Sequence, residues 1–273
     1  AFGGRLRFET TLPGLGAWGR VGDYRLYALQ RMANVNLYAE SDLGVDDILE
    51  LGASRVAIAT GARWTRSLYS SLEIPVGTLE GPQVFTPDDL AAGVVPQGPV
   101  LVYDFDNYYL GGLVAEHLAA NGREVRYATP AGHASAWTIM TNELPYVHQA
   151  LHRRGVTVDT MSLLAGFDGT TALLQNIFTR HETPLAVRSV VIVGLRLPND
   201  ALYHAMRERS ADWAAAGIKS VDRIGDAHAA GALVHAVYSG HEYARALDAS
   251  PELYLRDLPI TADAPSPAYT ERH

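Results

Sequence analysis

The sequence predicts an α/β fold with parallel strands, and three observations predict it. Short apolar runs, such as Arg55-Val56-Ala57-Ile58-Ala59 and Val100-Leu101-Val102-Tyr103-Asp104, stop at small or acidic residues. Uninterrupted runs of that length fit strands covered on both faces, as in parallel sheets. Segments with helical spacing lie between them, and parallel strands need such crossovers. Finally, the apolar run ending in Thr60-Gly61-Ala62 has an echo in one ending in Gly194-Leu195-Arg196, as two related nucleotide-fold halves would produce.

Taken in order, Leu26, Leu29 and Met32 place a helix over 20–33, and Val35-Asn36-Leu37-Tyr38 alternates like a strand. Asp46-Asp47-Ile48-Leu49-Glu50-Leu51 reads as a short helix and 55–59 as a buried strand. Pro75, Gly77, Gly81 and Pro82 make 63–84 a connection. Thr86-Pro87-Asp88-Asp89 supplies an N-cap, a proline suited to the first turn and acids near the positive helix end, so a helix runs from there to Gly93. Pro96 and Pro99 bracket the best candidate for a domain crossing.

Beyond it, strand 100–104, helix 110–120 closed by Asn121-Gly122, and strand 124–128 form one βαβ unit. A helix is expected over 142–154. The β-rich stretches 156–163, 171–179 and 187–193 resemble a meander between helical layers. Residues 198–216 are helical, with Leu202, Met206 and Trp213 available to one face. Strand 220–224 runs into Gly225-Asp226, and helix 229–247 carries Leu233, Val237 and Tyr243. Four prolines mark 251–273 as a tail that packs on another surface or is mobile.

Composition excludes whole classes of function. With 48% hydrophobic residues in 273, the chain has the material for a core, in one large domain or two ordinary ones. A net charge of −8 repels polyanions, which argues against nucleic acid. No stretch has the run of apolar residues needed for a membrane span, and the first residues lack signal-peptide order, so a soluble, cytoplasmic location is expected. The absence of cysteine removes disulfides, catalytic thiols and iron–sulfur ligation from this chain. His148 and His152 are four apart on a helix, but no acid between them completes a zinc-protease pattern, and they read as surface residues.

The most informative candidate site is Ile224-Gly225-Asp226-Ala227 at a strand-to-helix junction. Glycine admits a ligand to the backbone, free N–H groups at a helix start attract phosphate, and Asp226 can accept bonds from sugar or ribityl hydroxyls. A plain helix cap explains the same four residues equally well. Thr60 and Gly61 stand at a strand's carboxyl end, where open α/β sheets bind ligands, although tight turns use the same residues. Asp104-Phe105-Asp106 after an apolar strand also resembles the opening of haloacid-dehalogenase-like phosphatases, with Asp104 as nucleophile, Asp106 as acid/base and Lys219 as a later partner. Asn107 departs from that pattern. No G-x-G-x-x-G, G-x-S-x-G or P-loop motif occurs, and the acids in 104–112 would repel a pyrophosphate where a βαβ nucleotide site carries its glycines.

An ordered series of segments adds to this. Gly3-Gly4-Arg5-Leu6, Leu12-Pro13-Gly14-Leu15-Gly16-Ala17-Trp18, Asp23-Tyr24-Arg25, Ala59-Thr60-Gly61-Ala62-Arg63-Trp64, residues 113–118 and 209–213, and Ile224-Gly225-Asp226-Ala227 through Ser239-Gly240-His241 follow one another across residues 1–250. The series resembles the C-terminal region of the trimethylamine, dimethylamine and histamine dehydrogenase group, within the wider 2,4-dienoyl-CoA reductase family.

The resemblance implies two Rossmann-like, FAD/NAD-linked reductase-like domains, the second inserted into the first. The first, ADP/FAD-binding-like, would comprise 1–95 and 218–250. The inserted one, a degenerate NAD-binding-like domain, would comprise 96–217. Gly3, Gly4 and Arg5 match the family's loop beside the nucleotide, Thr60 and Gly61 its turn over the cofactor, and Gly225 and Asp226 its phosphate and sugar contact. The amine dehydrogenases hold ADP there and the reductases FAD. A preceding barrel would hold FMN and substrate, with a [4Fe–4S] cluster after it. No residue here matches a family catalytic residue. Gly3-Gly4-Arg5 matches the family just after its first βα unit, so the chain is expected to be a fragment or a subunit of a split enzyme, with an open sheet edge. The implied whole is a homo-oligomeric amine-oxidising enzyme passing electrons to an acceptor flavoprotein. A non-catalytic ADP/FAD-binding or docking subunit is the second reading, and the phosphatase the third.

Overall fold

The computed structural model describes residues 2–69 and 74–247. The tail expected at 251–273, and the last residues of the 218–250 segment, lie outside the described residues.

In chain order come α1 (Leu6–Glu9), α2 (Gly19–Gln30), α3 (Val45–Leu51), β1 (Arg55–Ile58), β2 (Ala62–Trp64), β3 (Ser67–Tyr69), β4 (Pro75–Thr78), β5 (Val84–Phe85) and α4 (Pro87–Ala91). Next are β6 (Val100–Asp104), α5 (Tyr109–Ala120), β7 (Val125–Ala128), α6 (Leu144–Arg153) and β8 (Thr157–Asp159). β9 (Ser162–Phe167), β10 (Thr171–Asn176), β11 (Glu182–Ala186), β12 (Ser189–Val193) and β13 (Arg196–Pro198) precede α7 (Ala201–Glu208), α8 (Trp213–Ala216), β14 (Ser220–Arg223) and α9 (Leu233–Ala246).

The main layer is a five-stranded, all-parallel sheet in the order β5-β12-β6-β7-β8. All five residues of β6 and of β12 are buried, because each strand is covered on both faces. Val100 and Val102 pack with Val114, Leu118 and Leu151 of the helical side. Their neighbours Leu101 and Tyr103 join Leu164, Ala172 and Leu174 of an antiparallel β9-β10-β11 meander on the other face. Strand alternation thus sends one run of residues into two separate cores. α4 starts as its residues predict: Thr86 N–H donates to the Asp89 carboxylate at 2.8 Å, half of a capping box.

A second, two-stranded parallel sheet pairs β1 with β14, Arg55 opposite Ser220 and Ile58 opposite Arg223. Ile48, Ile58, Met206, Ile218 and Val221 form its core, with Leu202 and Trp213 packed against it.

The structure corrects several expectations. Residues 35–38 are irregular, with Tyr38 75% exposed, because among the described residues no ladder partner lies beside them. The stretch at 187–193 does not close the meander. β12 enters the middle of the parallel sheet, and the meander's third strand is β11, whose Glu182, Thr183 and Pro184 conceal it. The connection at 63–84 holds three short strands, β2 pairing with β13 and β3 with β4. β1 is only partly buried, since Arg55 and Ala57 face outward and Ile58 alone is covered. The helical run over 198–216 breaks into α7 and α8, and Gly217, at φ 77°, ends it.

Candidate functional site

The parallel neighbours β1 and β14 both end at one cavity of about 900 Å³. The carboxyl ends of parallel strands are where open α/β sheets hold ligands, because the chain turns there toward a helix and leaves backbone groups accessible. After β1 come Ala59, Thr60, Gly61 and Ala62, and after β14 come Ile224, Gly225 and Asp226. The N-terminal turn at 3–9 forms another wall, and Asp88 and Leu90 of α4 with Leu110 and His117 of α5 close the rest. All seven sequence-predicted residues, Gly3, Gly4, Arg5, Thr60, Gly61, Gly225 and Asp226, line this cavity.

Its glycines have a structural reason. Gly4, Gly61 and Gly225 sit at φ 49°, 78° and 58°, a left-handed backbone that side chains disfavour. A Cβ on Gly4 or Gly61 would meet nothing within 4 Å, so those faces stay open for a bulky group to approach the chain. Thr60 is fixed from across the fold, its hydroxyl donating to the Asn199 carbonyl while Asn199 N–H donates to Gly61 O at 2.9 Å.

One expectation is corrected in detail. Gly225-Asp226 does not open the long helix. It forms a 3₁₀ turn over Gly225–Ala227, and α9 begins only after Ala232, whose N–H donates to His235 Nδ1 at 3.1 Å. Gly225 N–H is taken by Ser239 Oγ at 2.9 Å, so it is not a free phosphate donor.

A charge network crosses the cavity's inner edge. Asp226, 8% exposed, takes Arg5 Nε at 3.1 Å and Arg196 Nη1 at 3.3 Å on one oxygen, and Gly231 N–H at 3.2 Å on the other. A carboxylate has about four acceptor positions, so one remains for a sugar hydroxyl. Arg5 also donates to Glu9 at 2.7 Å and to Gly231 O at 2.6 Å, and Tyr109 O–H donates to the second Glu9 oxygen at 2.7 Å. Burial opposes the Arg5 charge, but Glu9 and Asp226 outweigh it and raise its pKa. Arg196 goes the other way: burial and the nearby Arg5 charge lower its pKa, with Asp226 and Asp106 opposing. Burial likewise raises Asp106, against the pull of Arg196 and Arg5.

Arg196, Glu9 and Tyr109 were not picked out from the sequence. Arg196 stands at the end of the second apolar run, the place of Gly61-Ala62 in the first, and that echo was the available signal. It stacks over Trp64 at 4.9 Å.

The phosphatase alternative fails on burial. Asp104 has no exposure, its carboxylate accepting from Tyr127 O–H and from Asn107 N–H, the latter at 2.9 Å, so it cannot reach a substrate phosphorus. Its partner in that reading, Asp106, is drawn into the arginine network instead. Burial pushes the Asp104 pKa up to about 7. A folded-state value above the unfolded one means the folded protein holds the proton more tightly. Stability from this group is therefore fully present below about pH 4 and is lost as the pH rises through about 7. Asp104→Asn removes that slope, and denaturant unfolding between pH 4 and 8 measures it. Parallel pH profiles for both proteins would refute the assignment.

His148 and His152 do lie on α6, with His148 half-buried against His133 at 5.8 Å between rings. Among the described residues no group of three metal-ligating side chains occurs, and no helix is long and apolar enough to cross a membrane.

The architecture is a mixed α/β fold with a parallel sheet, similar to the FAD/NAD-binding domain of flavoprotein oxidoreductases. The 2-naphthoyl-CoA reductase structure shares the fold at TM-score 0.74 and 17% identity. No profile of a known protein family matches the chain. Histamine dehydrogenase from Rhizobium sp. 4-9 superposes at TM-score 0.87 with 38% identity, over 93% of this chain and 37% of that one. The 6-hydroxypseudooxynicotine amine oxidase of Pseudomonas geniculata N1 gives 0.85 and 35%, over 91% and 37%. Dimethylamine dehydrogenase of Hyphomicrobium sp. (strain x) is 30% identical over 92% of this chain and 38% of its own length. The chain belongs with the dimethylamine and histamine dehydrogenase group and corresponds to a C-terminal part of those proteins.

Proposed function

We propose that this chain is the adenine-nucleotide-binding part of an amine-oxidising flavoprotein. The observation that carries the reading is the convergence of Gly3, Gly4, Arg5, Thr60, Gly61, Gly225 and Asp226 on one cavity at two parallel strand ends. A nucleotide fits there: open glycine faces admit its diphosphate, and Asp226 keeps one acceptor position for a ribose or ribityl hydroxyl. ADP bound there serves structure alone, whereas FAD would supply electron transfer.

The chain's own residues have defined tasks in this reading. Thr60 and Asn199 hold the turn after β1, Ser239 fixes Gly225, and Arg5 with Arg196 orients the Asp226 carboxylate toward the cavity edge. The domain reading, 1–95 with 218–250 as one nucleotide-binding-like unit and 96–217 as an inserted one, accompanies it on the pairing of β1 with β14. Its bounds shift, because β5 lies in the five-stranded sheet of the inserted unit, β13 pairs with β2, and Leu202, Met206 and Trp213 pack with the core of β1 and β14. The inserted unit has a structural or docking role, since acids and tyrosines fill the β6–α5 turn where a phosphate would sit. Substrate oxidation at FMN, transfer through a [4Fe–4S] cluster and delivery to an acceptor flavoprotein belong to a further region or subunit, in a homo-oligomer.

Extraction of the purified protein followed by mass spectrometry tests the reading. About one ADP or FAD per chain is expected. Protein that carries no adenine nucleotide and binds none on addition would overturn it.

A further inference from the structure

The charge of the arginine that the resemblance places beside the nucleotide is already engaged. Arg5 stands in the loop matched to the nucleotide, yet each of its three guanidinium nitrogens is bonded: Nη1 to Glu9, Nε to Asp226 and Nη2 to Gly231 O. A diphosphate would have to take those bonds from two carboxylates already in place. His117, a further basic residue of the lining, sits 3.3 Å from the Asn121 amide. Glu9, Asp88 and Asp226 add negative charge to the same walls. A polyanion entering this cavity therefore needs another cation.

Arg7 meets that need. It lines the cavity, is exposed, and among the described residues its guanidinium has no hydrogen-bond or ion-pair partner. Its position depends on a neighbour: Gly3, at φ 101°, has no Cβ, and one added there would lie 3.4 Å from Arg7 Cγ, so the arginine stem lies across the glycine. The turn that exposes the open face of Gly4 thus also presents a free guanidinium, whose planar donors match phosphate oxygens.

We propose that Arg7, and not Arg5, is the side chain that neutralises the diphosphate of a nucleotide in this cavity. This rests on the adenine-nucleotide reading above. Arg5 is a positioning residue that holds Asp226 and Glu9, while Arg7 touches the ligand.

Calorimetric titration of ADP and of adenosine into the full-length protein, freed of co-purified nucleotide, tests it with wild type, Arg7→Gln and Arg7→Lys. Arg7→Gln is expected to weaken ADP binding about 10- to 100-fold and leave adenosine binding unchanged, with Arg7→Lys in between. Added salt should weaken ADP binding more in wild type than in Arg7→Gln. The melting temperature of the nucleotide-free variants should match wild type, because the side chain is exposed. Unchanged ADP affinity in Arg7→Gln, or equal loss for both ligands, overturns the proposal and leaves the nucleotide reading standing. Wild type that binds neither ligand overturns the nucleotide reading itself.

Discussion

Asp226→Ala is expected to lower the stability of the folded protein by about 3 kcal/mol, near the lower end for removing one member of a buried ion cluster. The carboxylate stands between two guanidiniums, Arg5 Nε at 3.1 Å and Arg196 Nη1 at 3.3 Å, and both arginine side chains are largely covered, at 23% and 11% exposure. Without it, the two positive charges face each other and Gly231 N–H loses its acceptor. Arg5 keeps its ion pair with Glu9, whereas Arg196 keeps Gly231 O, the face of Trp64 and the attraction of Asp106 but no other ion pair among the described residues, so the loss falls mainly on Arg196. A drop of roughly 10 °C in melting temperature corresponds to that energy for a chain of this size. Asp226→Asn, which still accepts from Gly231 N–H, should lose less. Denaturant unfolding of both variants measures the difference, and a loss below about 1 kcal/mol for Asp226→Ala would show that the cluster contributes little.

The second large effect comes from the packing of α5 on β6. A Cβ on Gly111 would lie 2.3 Å from Asp104 Cγ and 2.4 Å from Oδ2, far inside contact distance. Asp104 cannot swing aside, because Tyr127 O–H and Asn107 N–H hold it in a site with no exposure. Gly111→Ala is therefore expected to destabilise the protein by about 3 kcal/mol, as overpacking combined with a displaced buried carboxylate. Gly240, in α9, supplies the contrast: a Cβ there meets nothing within 4 Å, so Gly240→Ala is expected to be neutral or stabilising by about 0.5–1 kcal/mol. Adding Asp104→Ala to Gly111→Ala should recover part of the loss by opening the space. Equal stability of Gly111→Ala and Gly240→Ala in denaturant unfolding would contradict this account. The glycine following the acid-filled turn thus serves close helix–strand packing.

Some of this was legible in the sequence because it depends on neighbours along the chain. The apolar runs of β6 and β7, the Thr86-Pro87-Asp88-Asp89 helix start and the Asn121-Gly122 stop are local signals, and each appears where its residues place it. Local signals failed where long-range pairing decides. β12 and the stretch at 35–38 both read as strands, but among the described residues only β12 has neighbours to complete its hydrogen bonds. β11 reads as polar and proline-containing, yet β10 recruits it into a ladder. β1 reads as buried, although its sheet has one partner strand and a single covered face.

The candidate site divides along the same line. Its glycines could be picked out along the chain, since a left-handed backbone, as at Gly4, Gly61 and Gly225, restricts the residue type at that position. Which side chains are paired and which are free followed from the folding of distant segments onto one another. The turn carrying Arg5 and Glu9 lies far along the chain from Tyr109, Arg196 and Asp226, and their pairing leaves Arg7, among the described residues, as the unengaged guanidinium in the cavity. Coulombic and hydrogen-bond partners act over a few ångströms in space, and separation along the sequence carries no measure of that distance.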